Sequence, residues 1–443
     1  MQRTIPNPPI RITRREMLIR GLSAAGLMAA GHWPLALGEE PLAAALRLPD
    51  RSKEAPSAPV AIQRCESYEP KLVRQRLDAA LDLIGGVKSL VQNKTVTIKL
   101  NLTGTIQECC GLPAHRTYHT HPNVAAALCA ALYDAGAKNI ALAECFYFRE
   151  PPEKVLAAAG WDVAAIQSAG GQRVTFENTR NRGNWPSYSR LKVPWGGFLF
   201  PAFDVNQRYE KTDVFVSLAK LKDHGSAGIT AAAKNLFGVP PQALYGGDAP
   251  NEDSLSARGA IFHNGEKRVP EGVPAEVERK LPEGEPVWKF RVPRITADVL
   301  GARPVDLAVI DGIETVIGGE GPWMKDLKPT QPQLLLAGRN AVCTDTVCAA
   351  VMGYDALAQH MEFPFQGENH LRLLASMGVG TNDLKRIEVL GLLVEKARHP
   401  FQSPFSKREA AAFQHQPPPC LCDDYGMVAS SSARQSLKEV ALG

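Results

Sequence analysis

The sequence predicts an α/β fold, with an open, mainly parallel sheet covered by helices on both faces and interrupted by two irregular insertions. Short apolar runs of strand length alternate along the chain with longer helical segments. Several of these segments begin at proline and end at glycine, as helices commonly do. The chain has 443 residues, of which 44% are hydrophobic and 22% are charged, so it can bury a substantial core.

The elements follow the alternation in chain order. Strands are predicted over residues 95–100, 139–144, 213–218, 306–310, 333–337 and 387–390. Helices are predicted over residues 70–83, 123–135, 151–159, 340–352 and 371–377. The aromatic, turn-rich residues 178–200 and the Gly- and Pro-containing residues 246–290 lack periodicity, so they are predicted to be excursions from the sheet.

The first 38 residues are predicted to be a twin-arginine signal peptide. Arg14 and Arg15 follow Thr13, a short apolar stretch over residues 21–31 comes next, and small residues at 36–38 offer a cleavage site. The alternatives are a single N-terminal membrane anchor and a chance arginine pair. We expect the twin-arginine translocase to be a partner during export, and the mature protein to be periplasmic or otherwise exported.

The remaining chain is predicted to divide into a flexible lead-in over residues 39–60, an α/β domain over 61–400 and a C-terminal tail over 401–443. The signal peptide holds five arginines and one glutamate, which account for the whole formal net charge of +4. The neutral remainder argues against nucleic-acid binding, which needs a basic surface. No later run is apolar enough to predict a stable membrane span.

The densest group of polar side chains follows the strand predicted over residues 213–218. It contains Lys220, Lys222 and His224, then a run of small residues, then Lys234 and Asn235. In an open parallel sheet, ligands bind beyond the carboxyl ends of the strands, which is where this group lies. Its amines suit a carboxylate or a phosphate, and a histidine there can be a base or a metal ligand. A solvated basic turn is the structural alternative.

Two sets of candidate site residues are predicted to lie at this edge of the sheet. The candidate catalytic residues are His224, Lys234 and Lys222. The candidate anion-binding residues, from this segment and from the end of the strand over 95–100, are Lys99, Asn101, Lys220 and Asn235.

A metal site is a further hypothesis. His119 and His121 are two residues apart and would point the same way on an extended segment, so they could share a metal ion. Asp311 and Glu320 lie in a glycine-rich loop after another strand and could bind a hard cation through oxygen. A plain histidine-containing loop and a tight structural turn are the respective alternatives. Asp345, near a predicted helix start, could be functional or could favour the helix dipole.

The chain resembles the domain of unknown function 362 family over about residues 95–391. The resemblance rests on the blocks over residues 96–101, 220–238, 309–312 with 319–322, and 337–340 with Asp345. Some members of that family carry ferredoxin-like cysteine runs and are called iron–sulfur proteins. This chain has nine cysteines but no Cys-x-x-Cys, so it lacks those runs.

A more distant similarity links His224 and Lys234, which are ten residues apart, to the nickel-pincer lactate racemases. In those enzymes a similar segment presents a catalytic histidine and a lysine that tethers the cofactor. The similarity implies that His224 is an acid/base and that Lys234 anchors a cofactor or an anion.

Together, these patterns favour an exported enzyme that binds a small anionic molecule and performs acid/base chemistry, with a metal ion as one option. The cofactor is unknown. The alternatives are a non-catalytic periplasmic binding or cofactor-maturation protein, and an iron–sulfur or thiol redox protein that uses Cys109 and Cys110.

Overall fold

The computed structural model describes residues 48–278, 281 and 284–402. The predicted signal peptide, residues 39–47 of the predicted lead-in and residues 403–443 of the predicted tail lie outside these residues. No helix among the described residues combines the length and the apolar character needed to cross a membrane.

An eight-stranded sheet forms the centre of the fold, with the strand order β14-β1-β13-β10-β7-β2-β3-β4. All neighbouring pairs are parallel except those of β13, which runs antiparallel to both β1 and β10. The predicted mainly parallel α/β fold is therefore confirmed. The strands of this sheet are β1 (Val60–Arg64), β2 (Thr95–Lys99), β3 (Asn139–Glu144), β4 (Val174–Asn178), β7 (Val214–Lys220), β10 (Leu307–Gly312), β13 (Leu334–Gly338) and β14 (Val389–Gly391).

Three two-stranded pairs lie outside the main sheet: β5 (Tyr188–Lys192) with β6 (Ala202–Asn206), β8 (Lys222–His224) with β9 (Gly228–Thr230), and β11 (Thr315–Ile317) with β12 (Lys328–Thr330). The helices are α1 (Pro70–Leu83), α2 (Lys88–Val91), α3 (Pro122–Asp134), α4 (Pro152–Ala158), α5 (Val163–Ala169), α6 (Ala232–Asn235), α7 (Gln242–Tyr245), α8 (Trp288–Ala302), α9 (Ala341–Val351), α10 (His370–Ser376) and α11 (Val394–Ala397).

Two hydrophobic clusters cover the two faces of the sheet. Side chains of β7 divide between them, because successive residues of a strand point to opposite faces. Val214, Val216 and Leu218 pack in the cluster that includes α1, α3 and α5. Phe215 and Ala219 pack in the other cluster, which includes α6, α8, α9 and α10. The apolar run that predicted this strand is thus buried on both faces, as expected for the interior of a parallel sheet.

Helix α1 has the signals by which the sequence predicts it. Proline stands in its first turn, and the Glu69 carboxylate accepts hydrogen bonds from the N–H groups of Lys71 and Leu72. Its buried side chains include Val73 and Leu77, four residues apart on one face. Local signals and burial agree here, and the predicted bounds of 70–83 match the observed helix.

The folded region begins earlier than the predicted boundary at residue 61. Val60 is the first residue of β1, which pairs with β13 and β14. Ala55 is buried, and the Thr381 N–H donates to the Pro56 carbonyl oxygen at 2.9 Å. The Pro- and Ser-rich composition of this stretch resembles a linker, but its backbone packs on the domain. Residues 48–60 are therefore part of the α/β body and not a flexible lead-in.

The two predicted insertions differ in content. Residues 178–200 lead into the β5–β6 hairpin, whose connecting loop is anchored by Asp298 of α8. That carboxylate accepts hydrogen bonds from the N–H groups of Phe198, Leu199 and Phe200 at 2.6–2.9 Å. Residues 246–278 are mostly irregular around a short π-helix (Gly259–His263). Helix α8 was not predicted, since its first residues lie in the non-periodic stretch and Pro293 interrupts its interior.

Candidate functional site

A small cavity lies at the carboxyl ends of strands β2, β3 and β7. Its volume is about 60 Å³, and its wall includes Lys99 and Asn101 from the end of β2, and Glu144 from the end of β3. The segment after β7 supplies most of the remaining wall: Lys222, His224, Thr230, Lys234, Asn235, Phe237 and Gly238. Six of the seven predicted catalytic and anion-binding residues therefore meet at one cavity, at the edge of the sheet where ligands are expected.

The chain after β7 is held in place by buried polar contacts. Asp345, on α9, accepts hydrogen bonds from the N–H groups of Ala232 and Ala233, both at 2.8 Å. The Asn235 amide donates to the Ser217 hydroxyl at 3.0 Å and to the Lys99 carbonyl oxygen at 3.2 Å. These contacts fix α6 against β7 and β2. Asp345 thus positions the start of α6, and Asn235 connects the walls of the cavity.

Lys99 is neutralised within the wall. Its ammonium group lies 2.6 Å from the Glu144 carboxylate, and both side chains are almost completely buried. It also donates to the Leu100 carbonyl oxygen at 2.7 Å and to the Asn235 side-chain oxygen at 3.3 Å. Burial lowers the pKa of Lys99, and Glu144 opposes that shift. An ammonium group has three hydrogens, so this one has no donor left for a ligand.

Lys234 is in the opposite situation. It is 8% exposed, and its amine lies 4.0 Å from the centre of the Phe237 ring. Among the described residues its nitrogen has no hydrogen bond and no ion pair. The pKa of Lys234 is lowered to about 7, chiefly by burial; Glu320 opposes this shift, and the positive charges of Arg258 and Lys99 add to it. The amine can therefore gain or lose a proton near neutral pH.

Lys222 and Arg258 add positive charge to the cavity. The Lys222 amine donates to the carbonyl oxygens of Tyr118 at 2.7 Å and Glu320 at 2.9 Å, so one of its hydrogens remains. Burial lowers the pKa of Lys222 to about 7. Arg258 donates to the Cys145 sulfur at 3.1 Å, while its buried Nε has no partner among the described residues.

His224 is oriented by its own loop. Its Nδ1 accepts a hydrogen bond from the Ser226 N–H at 3.1 Å, and from this bond we assign the proton of the neutral ring to Nε2. The Glu320 carboxylate lies 3.8 Å from Nδ1 and accepts from the Gly225 N–H and the Trp323 indole. Burial, with Lys234 next in effect, lowers the pKa of His224 well below its usual value. A neutral ring of this tautomer donates a hydrogen bond through Nε2.

Lys220 lies elsewhere, although it was predicted to bind the anion with the other amines. Its amine contacts Asp311 at 3.0 Å, the Tyr68 hydroxyl at 2.8 Å and the His115 carbonyl oxygen at 3.2 Å, and Lys220 and Asp311 are fully buried. Strand β10 lies beside β7 in parallel register and pairs Asp311 directly with Lys220. Asp311 of the neighbouring strand therefore forms an ion pair with this amine, and Lys220 does not line the cavity.

The predicted metal ligands are not assembled. His119 contacts the Thr103 carbonyl oxygen at 2.8 Å, and His121 caps α3 by accepting from the Asn123 N–H at 3.1 Å. Asp311 forms an ion pair with Lys220, whereas Glu320 lies in the wall of the cavity. In the part of the chain that the structure describes, no group of three or more His, Cys, Asp or Glu side chains is arranged to hold a metal.

The vicinal cysteines of the redox alternative are close to one another. The sulfur atoms of Cys109 and Cys110 are 3.8 Å apart, and both thiols are free. Burial raises the pKa of Cys109 to about 12, so this thiol is not a reactive thiolate at neutral pH. Cys109 packs with Ala114, Tyr118 and Val316 in a small separate hydrophobic cluster.

Several residues of the cavity wall are not predicted by the sequence. Arg258 comes from the irregular insertion, where no periodicity or motif separates it from other arginines. Thr230 and Phe237 belong to the segment after β7, in which only the lysines, His224 and Asn235 are predicted site residues. The buried hydroxyl of Thr230 has no partner among the described residues. Glu144, the last residue of β3, pairs with Lys99 because β2 and β3 are neighbours.

Breaking the buried Lys99–Glu144 ion pair should destabilise the folded protein, which makes its structural role measurable without a ligand. Either Lys99→Met or Glu144→Gln leaves a buried charge without its partner, so each should lower the free energy of unfolding by about 3–5 kcal/mol. The double variant should lose less than the sum of the two single variants. Denaturant unfolding measures all three. Lys211→Met is the control, because that side chain is 56% exposed and pairs with an exposed Glu210. Equal losses for Lys99→Met and Lys211→Met would contradict the assignment.

Comparison with known proteins identifies one family model that matches the chain. No curated protein matches the chain. The crystal structure of a protein from Thermotoga maritima aligns with 13% sequence identity and a TM-score of 0.31, covering 60% of this chain and 55% of that one. The chain thus spans about half the length of that protein. The model of the family described as "Domain of unknown function (DUF362)" matches residues 96–350, and the chain belongs to this family.

Proposed function

We propose that the protein is an exported enzyme that binds a small anion, a carboxylate or a phosphate, in the cavity at the ends of β2, β3 and β7. The observation that carries the proposal is the Lys234 amine. The side chain is almost completely buried at a cationic cavity, and the amine has no acceptor among the described residues. An anionic ligand in the cavity would supply a charged acceptor for it.

The charge balance of the wall supports the same proposal. Lys99 and Glu144 neutralise each other at 2.6 Å. Lys222, Lys234 and Arg258 then face a single further carboxylate, that of Glu320, among the residues that line the cavity. With both lysines protonated, the wall carries excess positive charge. A bound anion would offset this excess and raise the pKa values of both amines.

The volume limits the ligand. A buried water molecule needs roughly 10–15 Å³ of such space. The cavity of about 60 Å³ therefore holds several water molecules or one small anion. A nucleotide or a long-chain substrate does not fit within it as it stands.

The proposed chemistry assigns different roles to Lys234 and His224 from those that the sequence patterns favour. A general base works best when its pKa is near the working pH, and Lys234 meets this condition in the ligand-free protein. His224 is neutral and carries its proton on Nε2, so its role in this proposal is to donate a hydrogen bond to an oxygen of the ligand. Metal assistance is not part of the proposal. A non-catalytic protein would use the same cavity for capture alone.

Removing the amine tests the binding site. We expect Lys234→Met to weaken the binding of oxalate or inorganic phosphate by about tenfold or more, because it removes a charge-assisted hydrogen bond. Titration calorimetry measures this change. The variant should stay close to the wild type in stability, since the amine makes no hydrogen bond or ion pair among the described residues. Lys138→Met, at an exposed position before β3, is the control. Unchanged affinity in Lys234→Met would contradict the proposed site.

The lowered amine pKa values predict a pH dependence. Anion affinity should be constant below pH 7 and should fall as the pH rises through about 7, where Lys234 and Lys222 lose their protons. The fall should approach roughly tenfold per pH unit for each amine that must be protonated. Calorimetric titrations from pH 6 to about 9 measure it, and Lys234→Met should reduce the slope. Affinity that is independent of pH over this range would contradict the role of the amines.

The stability of the ligand-free protein should change in the other direction. The two amines hold fewer protons in the folded state than in the unfolded state between about pH 7 and the ordinary lysine value of 10.5. Stability therefore rises with pH across this window from their contribution, because the unfolded state binds more protons there. The opposite signs for binding and stability distinguish these amines from exposed lysines.

The N-terminal residues predict export through the twin-arginine route. Changing both Arg14 and Arg15 to lysine should leave the protein in the cytoplasm of a bacterial host, since the paired arginines carry the resemblance to this class of signal. Cell fractionation followed by immunoblotting measures the exported share. Arg11→Lys is the matched control, because it keeps the pair intact. Export of the paired variant at the wild-type level would contradict the prediction.

A further inference from the structure

We propose that Lys234 forms an imine with the carbonyl carbon of a small 2-oxo carboxylate, which makes the cavity a site of covalent carbonyl chemistry. This inference rests on the proposed anion site and specifies its substrate class. It depends on the contacts of four amines near the same edge of the sheet.

Three of these amines are engaged. Lys99 is paired with Glu144 and Lys220 with Asp311, while Lys222 donates to two carbonyl oxygens. Attack on a carbonyl carbon requires a free nitrogen lone pair, which an ion-paired ammonium group does not offer. Only the Lys234 amine, among these four and within the described residues, contacts neither a carboxylate nor a carbonyl oxygen.

The surroundings of Lys234 favour the neutral amine. The nitrogen is buried against the Phe237 ring, and Arg258 and Lys99 add positive charge nearby. Burial and a neighbouring cation are the two means by which lysine nucleophiles are activated. At pH 7 the neutral fraction of an amine with a pKa of about 7 is roughly a thousandfold larger than that of a fully solvated lysine.

The remaining donors of the cavity match the two functional groups of a 2-oxo carboxylate. Lys222 keeps one free hydrogen, and Arg258 brings a permanent positive charge, so both suit the carboxylate. The His224 ring donates through Nε2, and the Thr230 hydroxyl has no partner among the described residues, so both suit the carbonyl oxygen. A neutral ketone would lack the negative charge that the wall attracts. The size of the cavity restricts the substrate to molecules such as pyruvate.

The step balances without an external reagent. The neutral Lys234 nitrogen adds to the carbonyl carbon, and the carbonyl oxygen takes up a proton to become a hydroxyl group. The hydroxyl group leaves as water with a second proton, and a carbon–nitrogen double bond forms. Overall, one protonated amine and one carbonyl group give one iminium ion and one water molecule. No oxidant, reductant or metal is consumed.

The experiment incubates the full chain with pyruvate and sodium cyanoborohydride at pH 7, and then measures the intact mass and maps the modified peptide. The expected product is a single adduct on Lys234, with the mass of pyruvate less one oxygen atom. Labelling of Lys234 should exceed that of the exposed Lys138 by at least about tenfold, given the larger neutral fraction. Oxalate should compete, and acetone in place of pyruvate should label much less.

Two measurements separate the inference from the function on which it rests. Oxalate binding by the wild type, measured by calorimetry, tests the anion site alone, whereas Lys234→Arg, which cannot form the imine, should give no adduct at residue 234. Lys138→Arg should be labelled at Lys234 like the wild type. Oxalate binding without an adduct on wild-type Lys234, or an adduct mainly on Lys222, would overturn the imine and leave the anion site standing. Failure of the wild type both to bind oxalate and to be labelled would overturn both proposals.

Discussion

The contact between Asp345 and the start of α6 is the interaction on which the cavity depends. Helix α6 has only four residues, which is too short to be stable by itself. Its first N–H groups donate to the Asp345 carboxylate, and Asn235 at its end is bonded to β7 and β2. Lys234 therefore occupies a defined position although its own side chain has no polar partner among the described residues. The backbone that carries Lys234 is thus held by polar contacts on both sides of this residue.

A second constraint is the uneven pairing of buried charges at this edge of the sheet. Parallel neighbours bring an acid to two of the lysines: Glu144 of β3 to Lys99, and Asp311 of β10 to Lys220. Lys222 and Lys234 follow β7, beyond the reach of the strand register, and receive no carboxylate within ion-pair distance among the described residues. Regular sheet pairing thus neutralises the amines on the strands and leaves positive charge just past their ends.

The sequence predicts the frame of the molecule well, because local signals and burial agree there. The bounds of α1 and β3 match the predicted ones, and the rule that ligands bind beyond parallel strand ends leads to Lys222, His224 and Lys234. Prediction from the sequence fails where the interacting residues are distant in the chain. The acid that pairs with Lys220 depends on the order of the strands in the sheet, and hydrophobic periodicity carries no information about that order. The histidines of the predicted metal site instead bond to backbone groups, His119 to the Thr103 carbonyl oxygen and His121 to the Asn123 N–H, and residue spacing does not predict such contacts.

The guanidinium group of the cavity comes from a segment that the sheet does not require. Arg258 lies in the irregular insertion before α8, while the lysines are attached to β2 and to the chain that leaves β7. Irregular segments accept changes in sequence more readily than strands do. The residues just after Arg258 are nevertheless part of the core, because Ile261 and Phe262 are fully buried in the larger hydrophobic cluster. A substitution at Arg258 therefore changes the charge of the cavity wall, whereas one at Ile261 or Phe262 also disturbs the packing that supports it.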